Sequence, residues 1–243
     1  MKYYFITGVS KGIGKALVND LLKQDDIKIY GYSRTQPDIT NNNFEWIAID
    51  LSKTNTVIDF NFPDLNLKKD DTLYLVNNAA IIGDINFTGK KDNKTIADTY
   101  NVNIIAPAIL TNKFLDKYGN LQNHKIIFNV SSGAGRHPIV SWADYCATKA
   151  AMDMLSNTIK EELDMEIYPN TYIFSVAPGI VDTQMQNEIR LAGKEKFPHH
   201  EIFVEYKEKN LLWTPETVAK KLIYIMHNPD KFDRHILLDV RDL

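Results

Sequence analysis

The sequence contains a single cysteine, Cys146, among its 243 residues. One cysteine excludes an internal disulfide, and such sparse use is typical of the reducing cytosol. The chain also lacks any apolar run of the roughly 18 residues that a membrane-spanning helix requires. Its first residues enter a strand-like segment with no apolar signal segment. We therefore expect a cytoplasmic protein with no membrane as partner.

Strong charge of either sign is absent as well. The formal net charge of −3 gives no basic surface that would attract nucleic acid, so we expect no nucleic-acid partner. The six histidines, including the pair His199 and His200, show no ligand spacing, and no metal site is predicted. Apolar residues make up 44% of the chain, which is enough to bury the core of a globular domain.

Strand-like and helix-like segments alternate along the whole chain. Apolar, β-rich runs occupy residues 2–7, 27–33, 44–50, 71–77, 124–131, 170–177 and 235–240. Helical patterns occupy about 12–24, 94–117, 145–164 and 215–227, with a weaker one at 53–66 that Pro63 ends. Most of the strand-like runs are nearly continuous, as in strands covered on both faces of a parallel sheet.

This alternation predicts one α/β domain over residues 1–243, with no internal repeat or linker. We expect a Rossmann-type, doubly wound parallel sheet of about seven strands with helices on both faces. Ligands of such sheets bind beyond the carboxyl ends of the strands. Residues 184–210 carry helical patterns but no strand, so we expect them to form a substrate lid over that edge.

The first strand ends in a glycine-rich loop, "TGVSKGIG", which opens the first helix. Gly8 allows a tight turn, Gly12 lets backbone approach a ligand, and Gly14 allows close packing of helix on strand. The N–H groups at the start of the helix attract a pyrophosphate. Three glycines alone could form a turn without function, but a strand before and a helix after them favour dinucleotide binding.

The second strand ends with Ser33 and Arg34, where NAD-binding folds usually carry an acidic residue. A carboxylate would repel the 2′-phosphate of NADP(H), whereas an arginine binds it and a serine hydroxyl donates to it. Lys11 in the glycine loop adds a second cation. These residues favour NADP(H), although Lys11 and Arg34 could also be ordinary solvated surface cations.

Tyr145 and Lys149 are spaced to lie on one helix face, about one turn apart. Tyr145 is the only tyrosine with a lysine four residues later, but one such pair is expected by chance in a chain with twelve tyrosines. Its neighbours make it informative, since "NNAA" (77–80), Ser132 in "NVSSGAG" and "APGIVDT" (177–183) each follow a predicted strand.

Taken together in this order, from Thr7 to about Val240, these motifs resemble the short-chain dehydrogenase/reductase family. The resemblance implies a catalytic set of Asn103, Ser132, Tyr145 and Lys149. The cofactor site that it implies comprises Gly8, Ser10, Lys11, Gly12, Ile13, Gly14, Ser33, Arg34, Asp50, Leu51, Asn78, Ala79, Ala80, Tyr145, Lys149, Pro178, Gly179, Val181 and Thr183. Ala80 departs from the family, which usually has glycine there, and its methyl group is expected to shift the backbone slightly.

The chemistry follows from the residue types. Hydride transfer to a carbonyl carbon leaves negative charge on the oxygen, which requires a positioned acid. Tyr145 supplies the proton, and the cation of Lys149 stabilises the phenolate and binds the nicotinamide ribose. Ser132 holds the carbonyl oxygen at the phenol. Asn103 supports a water that links Lys149 to solvent.

"SWADYCATKAAMDML" and "PGIVDTQMQ" are most similar to the sepiapterin reductase and bacterial benzil reductase branch, which implies NADPH-dependent reduction of a ketone or vicinal diketone. The expected substrate residues are Ser132, Trp142, Tyr145, Gly179 and Asp242. Trp142 is equally well explained as a packing aromatic. Asp239 is a second candidate carboxylate, and both tail carboxylates could simply be solvated.

Two other functions remain open. One is an NAD(P)-dependent alcohol dehydrogenase of the same family, against which Arg34 and the missing acidic residue argue. The other is a non-catalytic nucleotide-sensing protein, against which the intact set of Asn103, Ser132, Tyr145 and Lys149 argues.

The helices at 94–117 and 145–164 predict self-association. They resemble the helices through which family members pair, and they carry apolar residues beyond a single stripe. These residues are Ile104, Ile105, Ile109, Leu110, Met152, Met154 and Leu155. We expect a homodimer or a homotetramer.

Overall fold

The computed structural model describes residues 1–243 and has one seven-stranded sheet with the strand order β3-β2-β1-β4-β5-β6-β7, parallel throughout. The strands are β1 Lys2–Thr7, β2 Ile27–Ser33, β3 Phe44–Ala48, β4 Thr72–Asn77, β5 His124–Val130, β6 Thr171–Ala177 and β7 Leu237–Asp239. The predicted doubly wound parallel sheet is confirmed.

Helices connect all successive strands except β2 and β3, which a loop joins, and they cover both faces. They are α1 Gly12–Leu21, α2 Thr54–Asp59, α3 Asn93–Tyr100, α4 Ala106–Tyr118, α5 Ala143–Asp164, α6 Gln184–Leu191, α7 His200–Glu208, α8 Pro215–His227 and α9 Pro229–Phe232. Short 3-10 turns occupy Gly133–Gly135 and Val240–Asp242. No helix has both the length and the apolarity that a membrane crossing demands.

The helix predicted at 94–117 is interrupted by a π-helical turn, Asn101–Ile105, between α3 and α4. The backbone on both sides of this turn is right-handed helical, and Pro107, which has no N–H to donate, follows the turn by two residues. β7 is shorter than predicted because Asp239, at its end, accepts a hydrogen bond from the Arg241 backbone N–H and starts a 3-10 turn. The weak pattern at 53–66 yields only the six residues of α2.

The central strands are apolar on both faces because helices cover both. In β1, Tyr4, Phe5 and Ile6 are fully buried. Strand order reverses between β1 and β4, since β2 and β3 extend the sheet on one side and β5 to β7 on the other. The loops after β1 and β4 therefore diverge to opposite faces and leave a crevice between them at the carboxyl edge. The 184–210 segment forms α6 and α7 and contributes no strand.

Candidate active site

A cleft of about 850 Å³ lies at the carboxyl edge of the sheet. It runs from the glycine loop past the ends of β2 and β4 to helix α5. The predicted site residues that line it are Gly8, Ser10, Lys11, Gly12, Ile13, Ser33, Arg34, Asp50, Leu51, Asn78, Ala79, Ala80, Ser132, Trp142, Tyr145, Lys149, Pro178, Gly179, Val181 and Thr183. Gly14, Asn103 and Asp242 do not line it.

Two glycines of the loop, Gly8 and Gly14, pack too closely on neighbouring atoms to be replaced by a residue with a side chain. Gly8 has φ +74°, and a Cβ there would lie 2.9 Å from the Ala79 Cα. A Cβ on Gly14 would lie 2.2 Å from the Gly8 carbonyl oxygen, so Gly14 acts in packing behind the cleft. Helix α1 has no side-chain cap and no acidic residue in its first turn. Its free N–H groups and the bare backbone fit a dinucleotide pyrophosphate.

Ala80 takes the place of the family's usual glycine without strain. The residues with positive φ do not include Ala80, so its backbone conformation is one that any L-amino acid adopts. The methyl group at this position therefore imposes no left-handed backbone conformation.

The end of β2 presents Arg34 to solvent at the rim of the cleft. The Ser33 hydroxyl donates to the Thr35 carbonyl at 2.7 Å and accepts from the Trp46 indole N–H at 3.1 Å. Its proton is thus already used, and Arg34 is the exposed donor at this point. Lys11, across the mouth, donates to Gln184 Oε1 at 2.6 Å and so joins the glycine loop to α6.

Asp50 is held as a carboxylate beside Arg34. Its Oδ1 accepts hydrogen bonds from the Ser52 N–H at 3.0 Å and the Ser52 hydroxyl at 2.8 Å. Burial acts to raise the pKa of Asp50, but these bonds and the charge of Arg34 hold it below its usual value. Its oxygens remain acceptors at neutral pH.

Tyr145 and Lys149 project from one face of α5 into the cleft, and both are buried. Burial raises the pKa of Tyr145 to about 12, while the nearby Ser132 hydroxyl acts in the opposite direction. Burial lowers the pKa of Lys149 to about 8, against the attraction of Asp153. The Lys149 Nζ lies 5.7 Å from the Tyr145 ring centre and donates to the Val130 carbonyl at 2.8 Å.

These environments place a proton donor beside a cation whose charge depends on pH. An isolated phenol with a pKa near 12 is too weak an acid for fast transfer, so it needs positive charge close to its oxygen. Lys149 supplies that charge as long as it is protonated. The pair is thus arranged for proton transfer at and below neutral pH.

Asn103 braces the site from behind. It is fully buried in the π-helical turn, which widens the helix by one residue and directs its amide toward the loop after β4. Its amide accepts from the Ile81 N–H at 2.9 Å and donates to the Ile81 carbonyl at 2.9 Å and to the Thr148 hydroxyl at 3.2 Å. Asn103 therefore ties this loop to α5 and forms no direct hydrogen bond with Lys149.

Ser132 stands at the end of β5, in extended backbone just before the Gly133–Gly135 turn, and its hydroxyl accepts from the Ala134 N–H at 3.1 Å. The turn crosses α5 closely, because a Cβ on Gly135 would lie 2.7 Å from the Lys149 carbonyl carbon. Close approach at Gly135 therefore sets the separation of Ser132 from Tyr145 and Lys149.

Trp142 both lines the cleft and packs against the 184–210 segment. Its ring stacks on Phe197 with centroids 5.3 Å apart, lies 5.4 Å from Phe203, and meets the Tyr145 ring edge-on at 5.8 Å. Ile82, Ile85 and Ile189 belong to the same buried cluster. These apolar wall residues were missed by the sequence analysis, since nothing in their spacing directs them toward Trp142.

The structure favours Asp239 over Asp242 as the carboxylate near the cleft. Asp242 is exposed and does not line the cleft. Asp239 and Arg241 both line the cleft. They form an ion pair, with the Arg241 Nη2 2.6 Å from an Asp239 oxygen.

The fold and the cleft are those of a dinucleotide-binding domain in which a tyrosine and a lysine lie one helical turn apart. The family model for short chain dehydrogenase matches residues 2–193. A benzil reductase ((S)-benzoin forming) of Bacillus cereus is 32% identical over 232 residues, covering 91% of this chain and 92% of the relative. A sepiapterin reductase of Xenopus laevis is 26% identical, covering 91% and 89%.

Solved structures share the fold. A short-chain dehydrogenase/reductase of Saccharomyces cerevisiae superposes with a TM-score of 0.80 at 23% identity, over 99% of this chain and 96% of that one. A 4-hydroxyisoleucine dehydrogenase complexed with NADH (TM-score 0.78, 21% identity) covers 98% and 96%. A serine dehydrogenase complexed with NADP+ (TM-score 0.77, 19% identity) covers 98% and 93%. The chain belongs to the short-chain dehydrogenase family and is an oxidoreductase.

The close approach at Gly135 yields a prediction with a matched control in the same turn. Gly135→Ala forces a methyl group into the backbone of α5 and should lower the free energy of unfolding by about 1–3 kcal/mol. Gly133→Ala should change it by less than about 0.5 kcal/mol, because nothing lies within 4 Å of its added Cβ. Urea unfolding of both variants measures the difference. Equal losses would show that the turn does not press on α5.

Proposed function

We propose that this protein is an NADPH-dependent carbonyl reductase that transfers hydride to a ketone or vicinal diketone. The observation that carries the proposal is the opening of Tyr145 and Lys149 into the same cleft as the glycine loop. A dinucleotide held along the loop extends toward the phenol, as a nicotinamide-dependent reduction requires.

When bound, NADPH supplies the hydride. The glycine loop and the start of α1 would hold its pyrophosphate, and Lys149 would donate to its nicotinamide ribose. Ser132 donates to the substrate carbonyl oxygen, and Tyr145 gives that oxygen its proton as negative charge develops. The Lys149 cation stabilises the resulting phenolate, and protons return from solvent along a water that Asn103 supports.

The substrate is an apolar carbonyl compound. Aromatic and aliphatic side chains line the end of the cleft at Trp142, including Ile82, Ile189 and Phe203. Phe197 packs behind them in contact with Trp142 and Phe203. Such a wall favours aryl or alkyl groups flanking the reacting carbonyl. This agrees with the benzil reductases among the relatives. The 184–210 segment acts as the lid that covers this end.

The proton donor gives the direct test of the mechanism. Tyr145→Phe keeps the ring packed against Trp142 but removes the hydroxyl. It should lower carbonyl reduction by about two to four orders of magnitude while NADPH binding stays nearly intact. Lys149→Ala should lower the rate and also weaken NADPH binding, because the ammonium serves both phenol and ribose. Steady-state kinetics on a diketone and fluorescence titration of NADPH measure the two effects.

Tyr224→Phe is the matched control, since Tyr224 is 47% exposed and lies outside the cleft. It should leave both measurements unchanged. Near-normal turnover of Tyr145→Phe on a good diketone would show that Tyr145 is only a helix residue.

Cofactor choice depends on Arg34. We expect NADPH to bind at least about tenfold more tightly than NADH, because a charge-assisted phosphate contact contributes about 1.5–3 kcal/mol. Arg34→Ala should remove much of that difference. Arg234→Ala, an exposed arginine away from the cleft, should preserve it. Equal affinities in the unmodified protein would rule out the NADP(H) preference.

We also propose that the protein forms a homodimer or homotetramer through α4 and α5. Of the apolar residues on these helices and the π-helical turn, Leu110 and Met152 are buried in this chain, whereas Ile105 and Met154 are exposed. The exposed pair leaves an apolar face for a second copy.

Light scattering at micromolar concentration should give at least twice the chain mass of 27.8 kDa. Met154→Glu should shift the protein toward monomer. Met165→Glu, which is 74% exposed just after α5, should not. A monomeric mass for the unmodified protein would refute the proposed assembly.

A further inference from the structure

A partly buried ion pair lies one helical turn beyond Lys149. Asp153 follows Lys149 by one turn of α5 and is 6% exposed. Its Oδ2 accepts from the Arg136 Nε at 3.1 Å, and its Oδ1 accepts from the Ser175 hydroxyl at 2.6 Å. These three residues, Arg136, Asp153 and Ser175, are called the Asp153 network here. None of them lines the cleft.

The Asp153 network joins the segments that carry the site. Arg136 directly follows the turn that begins after Ser132, and its Nη2 donates to the Leu238 carbonyl of β7 at 3.2 Å. Ser175 belongs to β6, whose end leads to Pro178 and Gly179. Asp153 lies on the helix of Tyr145 and Lys149. One carboxylate thus anchors the serine loop and β6 to the catalytic helix.

The network also sets the charge near Lys149. On α5, the titratable groups facing Lys149 are Tyr145 and Asp153, and Asp153 is the one whose negative charge favours the ammonium. β5 contributes only the Val130 carbonyl, and the π-helical turn contributes the neutral Asn103 amide. From the loop after β5, Arg136 offsets part of the charge of Asp153.

Two ion pairs lie beyond these neighbours, and each carries no net charge because its acid and base cancel. Lys91 pairs with Asp144 at 2.7 Å, at the start of α5, and Asp239 pairs with Arg241. A buried ammonium is disfavoured unless opposite charge lies near it. Asp153 is therefore the residue on which the charge of Lys149 depends.

We propose that Asp153 is a positioning residue, whose carboxylate keeps Lys149 protonated at neutral pH and whose bonds to Arg136 and Ser175 hold the Ser132 loop against α5. The consequence of this role for catalysis rests on the reductase function proposed above. The effect of Asp153 on Lys149 does not rest on that function, because the protonation of Lys149 is measurable in the protein alone.

Two charge variants predict opposite results. Asp153→Asn keeps size and an acceptor for Ser175 but removes the negative charge, so Lys149 should lose its proton at lower pH. Arg136→Gln leaves the Asp153 charge uncompensated, so Lys149 should keep its proton to higher pH. Ser175→Ala removes a hydrogen bond without changing charge and serves as the matched control. Damage to packing would not produce shifts of opposite sign.

The primary measurement is the NMR titration of the Lys149 side-chain Cε resonance in ¹³C-lysine-labelled protein, assigned by its absence in Lys149→Arg. The midpoint in the unmodified protein should lie at about 8. We expect it to fall by about 1 pH unit in Asp153→Asn, to rise in Arg136→Gln, and to stay in place in Ser175→Ala.

The second measurement is kcat/KM for a diketone against pH at saturating NADPH. Reduction requires protonated Lys149, so activity falls as pH rises through the pKa of the lysine. The alkaline limb should move to lower pH in Asp153→Asn and to higher pH in Arg136→Gln. If Asp153→Asn does not fold, the Arg136→Gln variant alone tests the proposal. A shift of its alkaline limb to higher pH supports the role of Asp153, and a shift to lower pH overturns it.

The outcomes separate the two proposals. Opposite NMR shifts without turnover of any carbonyl compound would support the role of Asp153 and overturn the reductase function. Turnover with the same Lys149 midpoint in all variants would overturn the role of Asp153 and leave the reductase function standing. Shifts of the same sign in both charge variants would also overturn the role of Asp153.

Discussion

The packing of helix α5 across the end of β5 fixes the positions of Ser132, Tyr145 and Lys149, the proposed catalytic residues. Lys149 donates to the Val130 carbonyl at the last residue of β5, and Gly135 lets the following turn lie directly on the helix backbone. Tyr145 is one turn before Lys149 on the same face, and Ser132 lies between Val130 and Gly135 in the chain. The distance between helix and strand therefore determines how phenol, ammonium and serine hydroxyl meet a substrate.

Burial at this contact gives the site its electrostatic character. The same low-dielectric surroundings raise the pKa of Tyr145 to about 12 and lower that of Lys149 to about 8. The two shifts favour a neutral phenol beside an ammonium group that easily loses its proton. The carboxylate of Asp153 counteracts the loss of this proton, and Arg136 forms an ion pair with that carboxylate. The charge of Lys149 is thus influenced by a group outside the cleft.

Much of the fold could be predicted from the sequence because its signals are local. Continuous apolar runs such as residues 124–131 mark strands that are buried on both faces, and the loop from Gly8 to Gly14 carries its own strand and helix context. The order of Ser132, Tyr145 and Lys149 indicated the family, which the family model and the relatives confirmed.

The rest depended on contacts between distant segments. Arg136 and Asp153 are seventeen residues apart and meet only because the turn folds onto α5. Phe197 reaches Trp142 through the 184–210 segment, and the π-helical turn at Asn103 lies inside what the sequence presents as one helical pattern. The Ser33 hydroxyl was expected to donate to a phosphate, but tertiary contacts with Thr35 and Trp46 already use it.

The central claim is that this cleft reduces a carbonyl group with hydride from NADPH. The most direct measurement is mass spectrometry of the hydroxyketone formed from a vicinal diketone with NADPH deuterated at both C4 positions. The account predicts a single deuterium on the carbinol carbon of each product molecule. Product without deuterium, or no product from any carbonyl compound while NADPH still binds, would contradict it.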